Sequence, residues 1–144
     1  MINLNPFIRS IFIDTSSIDE VMKWNATGII DGVTTNQSIM LKDGLNIKNF
    51  EKVVKIICKE MGDKPVSVEI TDSNSSVQEM INEAKKMNSF APNVVVKVPL
   101  IPDTTKSLEV IKALISLNIA INVTAIMTFE QMVVSALATR TCKK

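Results

Sequence analysis

The sequence contains no histidine, and that absence removes whole classes of chemistry. Within one chain a Ser-His or Cys-His triad is impossible, and so is a metal site built on imidazole. Catalysis therefore falls to Lys, Asp, Glu or hydroxyl side chains. Cysteine is nearly as scarce. Cys58 and Cys142 form no metal motif, no metal or other cofactor is expected, and the pair suits a reducing, cytoplasmic setting. Neither sign of charge dominates. Sixteen Lys and Arg against fifteen Asp and Glu leave a net charge of +1, without the basic surplus of a nucleic-acid binder. No apolar run approaches the roughly 18 residues of a membrane span. The first residues, Met1-Ile2-Asn3-Leu4-Asn5-Pro6, show neither the basic nor the apolar region of a secretion signal. Four Gly and five Pro in 144 residues predict short loops and regular elements. Hydrophobic residues are plentiful at 46%, enough to bury a core, and the length suits one domain.

What is present alternates between two periods. Ser10-Ile11-Phe12-Ile13-Asp14 reads as a strand, and Ser17 and Glu20 have capping-box spacing before a helical stripe that Gly28 can end. Ile29-Ile30-Asp31-Gly32-Val33-Thr34 is a weaker strand. Phe50, Val53, Val54, Ile57 and Met61 keep a clear helical period ahead of Gly62. Val66-Ser67-Val68-Glu69-Ile70 is a third strand, with a helix from about Ser76. Asn93-Val94-Val95-Val96-Lys97-Val98 is a fourth, closed by Pro99 and followed by a helix through Leu108, Ile111, Leu114 and Ile115. Ile119-Ala120-Ile121-Asn122-Val123-Thr124 is the fifth. Thr128 and Gln131 have capping-box spacing before the last helix. Five βα repeats predict an α/β fold with a parallel sheet and right-handed crossovers.

Buried parallel strands are expected to be apolar on both faces. Each of these breaks that rule near its C-terminal end, at Asp14, at Thr34-Thr35-Asn36, at Glu69, at Lys97, and at Asn122 and Thr124. Residues two apart share a face, so Phe12 pairs with Asp14, Thr34 with Asn36, Ser67 with Glu69, Val95 with Lys97, and Asn122 with Thr124. If those faces point into a barrel, carboxylates, a lysine, hydroxyls and amides converge where (β/α) barrels carry their chemistry. A lone strand-end Asp or Asn is ordinarily a helix cap, and Asp14 or Asn36 alone would be read that way. Lys97 resists the bland reading. A lysine inside Val-Val-Val-Lys-Val-Pro must be desolvated or reach past the strand end, and a desolvated amine loses its proton more easily and can attack a carbonyl.

At these residues the sequence resembles the transaldolase and fructose-6-phosphate aldolase family, specifically its small-subunit transaldolase branch. The matching pieces are Phe12-Ile13-Asp14-Thr15, Gly32-Val33-Thr34-Thr35-Asn36, Val66-Ser67-Val68-Glu69, Ala91 to Pro99 and Ile121-Asn122-Val123-Thr124, in family order over roughly residues 10–138. The resemblance implies a barrel of the (β/α) type and a metal-free, imine-forming transfer of a dihydroxyacetone unit between sugar phosphates in the pentose phosphate pathway. Its substrates would be fructose 6-phosphate, sedoheptulose 7-phosphate, erythrose 4-phosphate and glyceraldehyde 3-phosphate. It makes Lys97 the imine-forming residue and Asp14 the group that handles the substrate hydroxyl proton. Glu69 and Thr124 would hold the water for imine formation and hydrolysis, and Thr34, Asn36 and Asn122 would bind the dihydroxyacetone unit. Glu69 is the transaldolase choice, where the aldolases carry glutamine. Two positions depart from the pattern. Gln37 stands where the family usually has proline, and Ala125-Ile126-Met127 replace a more apolar stretch.

A third departure concerns extent. The family barrel has eight βα units and this sequence supplies five. The expectation is a C-terminally truncated partial barrel over residues 1–138 with a tail at 139–144, without the arginine and serine that would grip the substrate phosphate. Five strands leave two edges open, so the chain is expected to form a homo-oligomer. Three readings stay open: a transaldolase-like enzyme, with aldolase-like activity as its alternative; a fragment with little or no activity; and an unrelated parallel α/β module that binds a small anion.

Overall fold

All but one of the described α-helices start where a side-chain oxygen takes the first free amide protons. Ser76 Oγ accepts from Glu79 N at 3.3 Å while Glu79 Oε2 accepts from Ser76 N at 2.9 Å. Thr128 and Gln131 form the same reciprocal box, and the Asp103 side chain accepts from Lys106 N at 3.0 Å. Ser17 accepts from Glu20 N at 3.3 Å. The return bond that its spacing predicted is not made among the described residues. Such caps contribute about 0.5–2 kcal/mol each.

The structure, a computed structural model, describes residues 10–44 and 46–140. The opening residues Met1–Pro6, and Cys142 with most of the 139–144 tail, lie outside them. The elements run β1 (Phe12–Asp14), α1 (Ile18–Ala26), β2 (Gly32–Thr35), α2 (Gln37–Lys42), a 3₁₀ turn (Ile47–Asn49), α3 (Phe50–Met61), β3 (Val66–Glu69), α4 (Val77–Asn88), β4 (Val94–Pro99), α5 (Thr104–Ser116), β5 (Ile121–Thr124) and α6 (Phe129–Thr139). All five strands are parallel, and their order in space is their order in the chain.

The core lies between the sheet and its helices. Val33, Val66, Val68, Val96 and Val98 are fully buried, together with Ile57, Met80, Ile111 and Leu114 from the helices. Each such side chain contributes about 1.5–3 kcal/mol on leaving water. The other face is mixed in polarity, and its exposure ranges from Phe12 at 40% to Ser67 at 2%. There the Phe12 ring lies over Gly32, and a methyl group at position 32 would overlap it, so this close approach requires glycine. Among the described residues, β1 and β5 have free outer edges, and no helix is long and apolar enough to cross a membrane.

Two local differences from the sequence reading have physical causes. The second strand begins at Gly32, not at Ile29. Asp31 N donates to Ile11 O at 2.7 Å, but Ile11 N donates to Asp31 Oδ2, so a carboxylate replaces the backbone acceptor and delays the ladder. Six residues after Asn36 form α2, too short to show a hydrophobic period.

Candidate active site

The fourth strand delivers Lys97 with 8% of its surface exposed, and its Nζ lies 3.2 Å from Glu69 Oε2 on β3. The sheet register sets Glu69 beside Lys97 and Lys97 beside Asn122, so three polar side chains from three strands stand in one row. The backbone ladder fixes the Cα positions of that row.

A second polar pair sits across the sheet. Asp14 ends β1 opposite Thr34, whose hydroxyl donates to Asp14 Oδ1 at 2.6 Å. Asp14 is exposed, and no hydrogen bond among the described residues engages its Oδ2. Among the described residues Glu69 is the one carboxylate within ion-pair distance of the Lys97 amine. Asp14 stands across β2 and β3 from it.

The remaining sequence candidates are placed less simply. Asn36 Oδ1 accepts from Ile39 N at 2.9 Å and caps α2, so that oxygen is committed and only the amide Nδ2 is left for a ligand. Asn122 Nδ2 donates to Ser67 Oγ at 3.4 Å. Thr124 is half-buried at the end of β5, in register with Pro99, and its carbonyl accepts from Leu100 N at 3.0 Å. No hydrogen bond joins Thr124 to Glu69 among the described residues, because the register places Asn122 in the lysine row and Thr124 two residues beyond it.

Ser67 and Gln37 also reach this region without having been singled out as site residues. Ser67 is 2% exposed and meets Asn122, and its signal in the sequence was the face that it shares with Glu69. Gln37 Nε2 donates to the Glu69 carbonyl at 3.4 Å. The resemblance marks it only as a departure from an expected proline.

Beneath the row lies an open trough of about 780 Å³, lined by Phe12, Ser67, Val95 and Asn122 on the sheet and by Met132 and Ala136 of α6. Its polar lining comes from Ser67 and Asn122 on the sheet and from Ser135 and Thr139 of α6. Lys97, Glu69 and Asp14 do not line it, so the trough lies under the charged groups and does not enclose them. Cys58 lies apart, on α3, where burial pushes its thiol up to about 11.

Chemically, the arrangement provides a lysine amine largely withdrawn from water, a carboxylate in contact with it, and a second carboxylate held by a hydroxyl. Amide and hydroxyl groups stand between them. Those are the parts an imine mechanism needs without histidine.

Residues 11–142 match the transaldolase/fructose-6-phosphate aldolase family. A probable transaldolase of Desulfatibacillum aliphaticivorans is 40% identical over 127 residues, which is 88% of this chain and 55% of that protein. A probable transaldolase of Leptospira biflexa is 40% identical over 129 residues, covering 90% of this chain and 56% of the relative. One from Listeria monocytogenes is 39% identical over 127 residues, 88% of this chain and 54% of the relative. The chain thus spans about half the length of the curated relatives it matches.

Proposed function

The chain belongs to the transaldolase/fructose-6-phosphate aldolase family, whose fold is a (β/α) barrel, and from that premise we propose that it transfers a dihydroxyacetone unit between sugar phosphates through an imine on Lys97. The observation that carries the reading is the Lys97 amine, 8% exposed, at 3.2 Å from Glu69.

In this reading Lys97 passes a proton to Glu69 and its amine adds to the carbonyl of fructose 6-phosphate or sedoheptulose 7-phosphate. Glu69 returns that proton to the hydroxyl that leaves as water, and a protonated imine forms. Asp14 takes the proton of the substrate hydroxyl, and the carbon–carbon bond that joins the dihydroxyacetone unit to the rest of the sugar breaks. Its electron pair moves into the imine to give an enamine, and glyceraldehyde 3-phosphate or erythrose 4-phosphate departs. The enamine adds to the acceptor aldehyde and Asp14 returns its proton to the new hydroxyl. Glu69, with Thr124, moves protons through the water that forms and later hydrolyses the imine. Thr34, Asn36 through its free amide, and Asn122 hold the dihydroxyacetone hydroxyls. Such chemistry places the chain in carbohydrate metabolism in the cytoplasm, which the free Cys58 thiol suits.

Self-association belongs to the same proposal. Among the described residues the outer edges of β1 and β5 are free, and Met127, Phe129 and Leu137 are 69%, 70% and 57% exposed. Sedimentation at micromolar concentration is expected to show more than one chain per particle, and a stable monomer would overturn this part.

The test of the chemistry is borohydride trapping. Incubation with fructose 6-phosphate followed by reduction is expected to leave one covalent adduct, mapped to Lys97 by mass spectrometry and absent in Lys97→Ala. An adduct on another lysine, or none, would overturn the reading. Release of glyceraldehyde 3-phosphate that depends on erythrose 4-phosphate identifies transfer, and release into water alone identifies aldolase activity.

A further inference from the structure

The loop that follows Asp14 is fastened by a residue from the other side of the site. Asp43, at the C-terminal cap of α2, accepts with one oxygen, Oδ2, from both Ser16 N at 2.9 Å and Ser16 Oγ at 2.6 Å. Ser16 is fully buried and Thr15 is 3% exposed, whereas Asp43 itself reaches the surface. The contact therefore runs from the solvent side into a closed loop.

From these contacts we infer that Asp43, acting through Ser16, is a positioning residue that holds the Asp14 carboxylate against Thr34. The chain of contacts is short. Ser16 lies two residues beyond Asp14, Thr15 N donates to Thr34 O at 3.0 Å, and Ser17 N donates to Thr15 Oγ1 at 3.1 Å. Thr34 in turn donates to Asp14 Oδ1. Asp43 thus closes a ring of contacts from Asp14 to Ser16, to α2, to Asn36 at the start of that helix, and back through Thr34. The group that moves the proton and the groups that grip the substrate hydroxyls are fixed to one frame.

Two observations favour a purpose beyond ordinary loop packing. A carboxylate at a helix C-terminus faces the negative end of the peptide dipoles, an unfavourable place for it unless something else holds it there. The Ser16 hydroxyl and amide do hold it, and they keep the Asp43 carboxyl below the usual carboxylate range. Both bonds to Ser16 are charge-assisted, the kind that best fixes a geometry.

The catalytic consequence rests on the role of Asp14 proposed above, so the test reads the coupling in two ways. Asp43→Ala is expected to slow release of glyceraldehyde 3-phosphate by about tenfold to a hundredfold while the yield of borohydride adduct stays within about twofold, as for a misaligned proton-transfer group. Asp43→Asn, which keeps an acceptor for Ser16, is expected to restore most of the rate. Ser16→Ala, which removes one of the two bonds, is expected to fall between them and serves if Asp43→Ala folds poorly. Independently of turnover, the side-chain carboxyl carbon resonance of Asp14 is expected to move in Asp43→Ala and to stay in place in Asp43→Asn. An unmoved Asp14 resonance overturns the inference. So does a loss of turnover and adduct together, in step with the fraction unfolded. If the parent chain forms no adduct, the function proposed above falls, and the Asp14 resonance alone decides the coupling.

Discussion

Lys97 and Glu69 make opposite predictions about stability, and the contrast separates a lysine kept for chemistry from one kept for the fold. At 3.2 Å and an effective dielectric constant of about 20, the attraction is worth roughly 5 kcal/mol. Taking the two charges out of water costs several kcal/mol per ion, so the intact pair is expected to contribute little in net. The partners are unequally placed, with the lysine side chain 10% exposed and the glutamate 24%. Glu69→Gln therefore leaves an ammonium without a counter-charge where water reaches poorly, and is expected to lower stability by about 2–4 kcal/mol, somewhat under the range for a fully buried orphan. Lys97→Met keeps the volume, removes the costlier charge and leaves a carboxylate that can hydrate. It is expected to stay within about 1 kcal/mol of the parent, and the double substitution to recover most of what Glu69→Gln loses. Urea unfolding at pH 7, read as the midpoint at constant slope, gives all four corners of the cycle. If Lys97→Met destabilises as much as Glu69→Gln, the lysine is holding the sheet together and the reasoning that assigns it to catalysis fails.

Ala125 follows Thr124 directly and has a φ of 54°, in the left-handed region where an alanine side chain is strained. Ala125→Gly is expected to raise stability by about 0.5–1 kcal/mol after glycine's extra freedom in the unfolded chain is subtracted, measured as a higher unfolding midpoint. A fall would contradict the backbone conformation. Cys58, 3% exposed with its thiol pushed up to about 11, is expected to resist thiol reagents at pH 8 in a Cys142→Ser background and to react at once in denaturant. Rapid native labelling would mean that α3 opens readily.

Much of the architecture was legible because the strands announce themselves twice, by β-branched runs and by a polar residue at one end. Lys97 and Glu69 could be read as site candidates from the cost of placing charge among valines, without any knowledge of which strand neighbours which. What could not be read was anything that depends on register. Nothing in the sequence says that Asn122, not Thr124, stands beside Lys97, because that follows from the stagger between β4 and β5. The cap on α2 was hidden for a different reason. Asn36 suits both a ligand and a helix start, and only the position of the Ile39 amide decides where its oxygen goes. Asp43 was invisible altogether, since its partner Ser16 lies 27 residues earlier and neither residue belongs to a periodic run.

The sheet's order in space, identical to its order along the chain, also bears on how such a protein comes to exist. After β1, every described strand finds a hydrogen-bonding partner in the strand made just before it. Each connection between paired strands spans a single βα unit, so no pairing among the described strands requires closure across the whole chain as it emerges from the ribosome. Each added βα unit extends an existing template, and the units already in place keep the contacts they had. A fold written in this order can grow by increments, and it can be lengthened or shortened at its trailing edge by whole units without re-routing what came first.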